Sequence, residues 1–277
     1  MLMLNKKEKK MSAKFAYAQW PWGTDTKEQF IQSCRDLSEV GFEYFESVKA
    51  FIDTFKGDVA EFKAIADEYN VHPISFYFHL SGNYETDIAE LKDKIGFVAA
   101  NGIKTITVQG VWTPEPTTHD DLVYATKTIQ DYGKICAEYG VIPCVHPHHN
   151  TTIMYEDEID YVMENTDPEL VGFAPDTAHL SAGGCNPAEI FARYADRIRF
   201  THLKDLKGAI ASGGMQAGVE VYTSFRELGE GDIDFKSVFD VLKKTNYEGY
   251  LCLELDRTRF GNKESAAMNL EYMKKNW

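Results

Sequence analysis

Four short apolar runs in the second half of the chain each end in side chains that bind cations or move protons. They run from Val141 to His146 and His148, from Val171 to Asp176, from Ile198 to His202 and Lys204, and from Tyr250 to Glu254. An apolar run of this length reads as a buried strand. In a parallel barrel every C-terminal strand end opens on the same face, so side chains at four such ends can converge on one ion. Asp176, His202 and Glu254 are the clearer ligand candidates. Asp176 stands at a strand-to-loop junction, where Asp also serves as a turn or capping residue. Glu254 sits within Leu-Cys-Leu-Glu-Leu. A carboxylate there must be metal-bound or paired, and Arg199 or Lys204 are the available partners. His146 and His148 are two residues apart and share a face if the strand stays extended. His146 is the fourth candidate ligand, with His148 higher in the mouth.

A mixed set of Asp, Glu and His suits a divalent ion, Mn²⁺ first, with Co²⁺, Mg²⁺ and Zn²⁺ as alternatives. Such an ion polarises a carbonyl or alkoxide oxygen of a bound substrate. The adjacent C–H becomes acidic, and a side-chain base can remove its proton. Reprotonation gives isomerisation or epimerisation; expulsion of a β-hydroxyl gives dehydration. The ligand types do not choose between them. Candidate acid–base groups are His148, His179 three residues past Asp176, Lys204 two past His202, and Glu46 at the end of the second strand. Trp20 and Trp112, with His79 and Gln109 at the ends of the third and fourth strands, are candidates for substrate contact.

The elements that must position these groups alternate along the chain. Eight β-type runs begin near Lys14, Gly41, His72, Ile103, Val141, Val171, Ile198 and Gly249, and helical patterns separate them. Thr26 to Val40 carries Phe30, Ile31, Cys34, Leu37 and Val40 on one face. Further helices are expected over 58–70, 85–101, 120–139, 157–165, 187–196, 234–246 and 263–277. Asn186 and Pro187 mark a helix start, and Gly102 marks a stop. Regular alternation implies parallel strands with right-handed crossovers. Eight units favour a closed (β/α)8 barrel. The turn after strand one, Trp20-Pro-Trp22-Gly, lacks the glycine-rich chemistry of an open dinucleotide-binding sheet.

Composition agrees with one such domain. The chain has 277 residues, against about 250 for a typical barrel. Residues 1–12 are expected to be a flexible charged leader and 13–277 the barrel domain. No apolar stretch of the ~18 residues needed to span a membrane is present. The net charge of −14 argues against a nucleic-acid partner, which requires a basic surface. Five scattered cysteines without a CxxC pair fit reduced core thiols in a cytoplasmic protein.

Pro175-Asp176-Thr-Ala-His179, Thr201-His202-Leu-Lys204-Asp205, the segment Gly229 to Phe235, and Gly249 to Glu254 resemble the recurring blocks of the xylose-isomerase-like TIM-barrel superfamily. The resemblance covers strands five to eight well and the first half by layout. His146-Pro-His148 and the Gly-Glu-Gly-Asp-Ile-Asp234 block resemble its inosose dehydratase branch. The superfamily's ion is held by Glu, Asp, His and Glu on strands five to eight, which implies Asp176, His202 and Glu254 as ligands and leaves His146 as a departure. A DNA-repair nuclease of the superfamily takes extra histidines. Here His79 could fill one such place, but Gln109 stands in another and no Asp-x-His follows strand seven. The expected activity is first a metal-dependent isomerase or epimerase of a small keto-sugar or keto-polyol. The second is a dehydratase of an inosose-like substrate, and the third a barrel that binds metal and sugar without turnover. Assembly as a homo-oligomer is left open.

Overall fold

The computed structural model describes residues 14–208, 214–215 and 218–277. The expected leader, residues 1–12, lies outside the described residues. Eight parallel strands form one sheet: β1 (Lys14–Ala18), β2 (Tyr44–Val48), β3 (His72–His79), β4 (Thr105–Gln109), β5 (Ile142–His146), β6 (Gly172–Phe173), β7 (Thr201–Leu203) and, after a small hairpin, β10 (Tyr250–Leu253). Their order is β6-β5-β4-β3-β2-β1-β10-β7. Isolated parallel bridges from Phe173 to Ile198 and from Asp176 to His202 join the two ends of this row. The sheet therefore closes on itself as the expected barrel, and the second bridge is made by two of the candidate ligands.

Helices α1 (Lys27–Val40), α3 (Val59–Glu68), α4 (Tyr84–Ala100), α5 (His119–Ala137), α6 (Glu156–Glu164), α8 (Pro187–Arg193), α9 (Phe235–Lys244) and α10 (Asn262–Asn276) follow the expected periodicities. Their starts are chemically marked. Thr26 and Gln29 form a reciprocal capping box on α1. Asn186 caps α8, with Pro187 in its first turn. Beyond α4, Gly102 takes φ 78°, a left-handed conformation that glycine adopts without a Cβ penalty.

Three features depart from the sequence reading. Two short helices, α2 (Ala50–Thr54) and α7 (Thr177–Ala182), fill loops after β2 and β6. The stretch after β7 contains a hairpin of β8 (Asp205–Leu206) and β9 (Phe225–Arg226). Strands five and six end earlier than expected, at His146 and Phe173. Pro147 and Pro175 follow, and proline offers no N–H to continue a ladder.

Strand alternation sorts the side chains. Ala16, Ala18, Cys144, Ala174, Phe200 and Cys252 form a compact cluster inside the barrel. Tyr17, Val145, Phe173, Leu203, Leu251 and Leu253, one position out of phase, pack in the larger core beneath the helices. The same period of two that buries Cys144, Ala174 and Cys252 aims His146, Asp176 and Glu254 at the mouth. All five cysteines are buried and free of disulfides.

The Gly229 to Asp234 segment is held by Asp205, which is buried. Its carboxylate accepts backbone N–H groups of Leu206 (2.8 Å), Gly229 (2.9 Å), Gly231 (2.9 Å) and Ile233 (3.2 Å). A Cβ at Gly231 would lie 2.2 Å from Asp205 Oδ1, so only glycine permits this approach. Replacing Asp205 by Ala strands these donors, and a penalty of about 3 kcal/mol is expected. Urea unfolding reads it directly. An unchanged midpoint would mean that the loop is held by other contacts.

Candidate metal centre and active-site cavity

The ligand-type atoms of Asp176, His202 and Glu254 all lie within 4.8 Å of one another. Three ligand candidates from the ends of strands six, seven and eight thus converge. His146 forms a neighbouring group with Asp176 and His179. Its Nδ1 lies 3.2 Å from His202 Nδ1, so it stands beside the trio rather than within it.

Hydrogen bonds fix which atoms point inward. His202 Nε2 bonds the carboxylate of Glu46, which also accepts Thr107 Oγ1 at 2.6 Å. With Nε2 engaged by Glu46, the other ring nitrogen, Nδ1, faces the trio, 3.1 Å from Glu254 Oε2. His146 Nδ1 lies 3.2 Å from the carbonyl oxygen of Ala174 and donates to it, leaving Nε2 as its lone-pair nitrogen. Asp176 caps α7: Oδ1 accepts the N–H groups of Ala178 (2.7 Å) and His179 (2.8 Å). Capping therefore engages one oxygen of Asp176 and leaves the other turned toward the cluster. His146 Nε2, Asp176 Oδ2 and Glu254 Oε2 are buried without a hydrogen-bond partner. Acceptors left over in this way in a dry site suit a cation, which supplies the partner that each lacks.

Lys204 is the counter-charge. Its Nζ lies 2.5 Å from Glu254 Oε1, 2.7 Å from Asp256 Oδ2, 3.0 Å from His179 Nε2 and 3.6 Å from Asp176 Oδ2. Of the two partners expected for Glu254, Lys204 makes the contact. Arg199 instead donates to the carbonyls of Asp196 and Ile198. Burial opposes the lysine's charge, but Asp176, Asp256 and Glu254 outweigh it and hold its pKa above the ordinary value. Burial pushes Asp176 up to about 7 against the pull of Lys204, and Glu254 likewise to about 7. Burial lowers His146 and His179 well below the usual imidazole range, and His148 to about 3 against the opposing pull of Asp256, with the Lys204 ammonium reinforcing the shift in all three. The imidazoles of His146, His148 and His179 are thus neutral at ordinary pH.

A cavity of about 230 Å³ opens beside this cluster, lined by Trp20, Val48, Tyr77, Gln109, Trp112, His148, Glu254 and Asp256. His148 lies beyond the end of β5, yet the turn after Pro147 still delivers it to the cavity wall. Its ring contacts Trp112 at 4.7 Å and His179 at 3.6 Å between centroids. Of the four residues expected to contact substrate, Trp20, Gln109 and Trp112 line this cavity. His79 does not line the cavity; its charged neighbours are Lys49, Glu90 and Asp87, near α4. Glu46 does not reach the cavity either. It is buried and its carboxylate bonds His202, so it supports that ring from within the barrel instead of standing at the cavity as the acid–base group expected.

Tyr77 and Asp256 escaped the sequence reading. Tyr77 donates to Gln109 Oε1, and its ring meets His146 at 5.3 Å. It read as one more aromatic in a core strand. Asp256 was legible by the same two-residue spacing that linked His202 to Lys204.

Residues 34–276 match the family model described as xylose isomerase-like TIM barrel. The chain is 35% identical over 136 residues to an inosose dehydratase of Clostridium tetani, a match covering 47% of this chain and 46% of that protein. It is 36% identical over 150 residues to one of Clostridium botulinum, covering 50% and 47%. The chain therefore spans about half the length of these curated relatives. Among solved structures, a D-allulose 3-epimerase from Methylomonas sp. superposes with TM-score 0.76 at 16% identity, covering 96% of this chain and 98% of that one. The IOLI protein with a bound zinc atom gives 0.77 at 16%, covering 95% and 99%. At such identities these likenesses show the fold alone.

Two outcomes follow from the buried carboxyls and from Glu46. Because Asp176 and Glu254 are raised to about 7 from 3.8 and 4.5, the metal-free fold holds protons that the unfolded chain has released. Their contribution to stability is complete below those lower values and is lost as pH rises through about 7. Cation binding displaces the same protons, so Mn²⁺ affinity should climb from about pH 6 to about pH 8 and then level off. Calorimetric titration in buffers of different ionisation enthalpy measures the released protons, and a flat affinity profile would show that both carboxyls are already ionised. Glu46→Gln should weaken Mn²⁺ binding by about 10–100-fold by loosening His202. Unchanged affinity would remove Glu46 from any positioning role.

Proposed function

Because the chain belongs to the xylose isomerase-like TIM-barrel family, we propose that it is a divalent-metal-dependent enzyme of a small keto-polyol or keto-sugar. In this reading it removes the proton next to the carbonyl and eliminates a β-hydroxyl as water. The observation that carries this reading is His148, a neutral imidazole on the cavity wall. Its Nδ1 donates to the carbonyl oxygen of His149 at 2.7 Å, which leaves Nε2 as the basic nitrogen. The resemblance of the curated relatives, inosose dehydratases, points the same way.

Asp176, His202 and Glu254, with His146 adjoining, would hold the ion, which supplies Lewis acidity to the substrate's carbonyl oxygen. His148 Nε2 takes the proton from the α-carbon. The C–H electron pair becomes the new carbon–carbon double bond, and the β-hydroxyl departs with the proton that His148 returns to it. One imidazole completes the cycle and ends neutral, so no second acid or external proton is required. Trp20 and Trp112 offer flat apolar faces to the substrate's C–H surfaces, while Gln109 offers its amide to hydroxyls. Burial keeps His148 unprotonated at ordinary pH, so its Nε2 lone pair is free on the cavity wall.

A second reading, isomerisation or epimerisation, is favoured by one observation: Glu254 and Asp256 also reach the cavity wall. A carboxyl there could return a proton to carbon. Incubating the Mn²⁺-loaded chain with inososes and ketoses in D₂O separates the two. Loss of water with formation of an unsaturated ketone supports dehydration, and deuterium at the α-carbon without loss of water supports isomerisation. Metal-dependent sugar binding with neither product would sink both in favour of a non-catalytic barrel. His148→Ala should lower kcat by about 10²–10⁴-fold in the dehydration reading. Full activity in that variant would remove His148 as the base.

A further inference from the structure

Lys204 has no access to solvent, and its ammonium is held by a set of groups that would serve a metal equally well. Glu254 Oε1, Asp256 Oδ2 and His179 Nε2 lie at 2.5, 2.7 and 3.0 Å, and Asp176 Oδ2 at 3.6 Å. The face of Phe225, 4.2 Å away, closes another side. Two of these partners, Asp176 and Glu254, are also members of the trio with His202. A cation built into the chain and one taken from solution therefore draw on the same two carboxylates. Asp256 differs from them. Its ligand-type atom groups with those of His179 and Glu254 but not with those of Asp176 and His202, and it holds the ammonium from the cavity wall.

We infer that Lys204 is an internal competitor for the divalent ion, and that Asp256 is a positioning residue that draws the ammonium aside and thereby sets the affinity of the metal site. The inference rests on the reading of Asp176, His202 and Glu254 as that site. Without Lys204, Asp176 and Glu254 give their whole charge to the incoming ion. Without Asp256, the ammonium leans entirely on those two ligands and resists the ion more strongly. Any charge near a metal alters its affinity, so the sign of one substitution is weak support. A residue that acts through another gives a sharper signature, because its effect disappears when the intermediary is removed.

The test is a double-mutant cycle on the full chain, with Mn²⁺ dissociation constants read by competition with a chelating fluorophore and folding checked by thermal melts. Lys204→Met should tighten Mn²⁺ binding by about tenfold or more, and Asp256→Asn should weaken it by about tenfold. In the Lys204→Met background, Asp256→Asn should change affinity by less than about threefold. If Lys204→Met does not fold, Lys204→Gln, which keeps a hydrogen-bonding head without the charge, is read in its place. Unchanged or weaker binding on loss of Lys204, or an equal effect of Asp256→Asn in both backgrounds, overturns the inference while leaving the metal site in place. A wild-type chain that binds neither Mn²⁺, Co²⁺ nor Zn²⁺ instead removes the site itself, and the inference with it.

Discussion

The mouth of this barrel is governed by one electrostatic constraint: Asp176, Glu254 and Asp256 are gathered around a single enclosed ammonium, with Glu46 beneath them against His202. Taking carboxylates out of water is costly, and the cost is met only where each oxygen finds a partner. Lys204 satisfies part of the set, His202 satisfies Glu46, and the start of α7 satisfies one oxygen of Asp176. What remains is a small group of acceptors with nothing to accept. The raised carboxyls and the neutral imidazoles have one origin, since burial disfavours whichever form carries charge.

Rigid placement makes this arrangement tolerable. Glu46, Thr107 and His202 come from β2, β4 and β7, and they meet across the barrel interior beside the small side chains of Ala18, Cys144 and Cys252, their register partners on neighbouring strands. Were those floor positions larger, a polar layer of this kind would be driven upward into the cavity. A site built on strand ends also holds its geometry better than one built on loops. His148 and Asp176, two and three residues past the ends of β5 and β6, are fixed otherwise. His148 is tied by its backbone N–H to Ile153 O at 2.9 Å, and Asp176 by its bridge to His202 and its cap on α7.

The strands were legible because apolar runs of four or five residues recur with helical spacing between them, and each strand of the barrel was placed. The short helices α2 and α7 escaped because five and six residues are too few to display a period of 3.6. The shortening of β5 and β6 was written in Pro147 and Pro175, whose missing N–H outweighed the apolar pattern before them. At the site, Asp176, His202 and Glu254 stood out because ligand types ended successive strands. Glu46 did not show its place, since its partner His202 lies 156 positions along the chain and only barrel closure brings the two together. His79 was placed at the right strand end, yet its side chain lies among Lys49, Glu90 and Asp87.

Strand five gains its meaning from this charge balance. His146 lies against His202, with 3.2 Å between their Nδ1 atoms, and a carboxylate in its place would add a negative charge to a group that Lys204 already serves. A neutral imidazole supplies a lone pair at Nε2 without that charge. His146 thus supplies an uncharged acceptor on one side of the cluster, while Asp256, on the cavity wall, holds the Lys204 ammonium at 2.7 Å on the other.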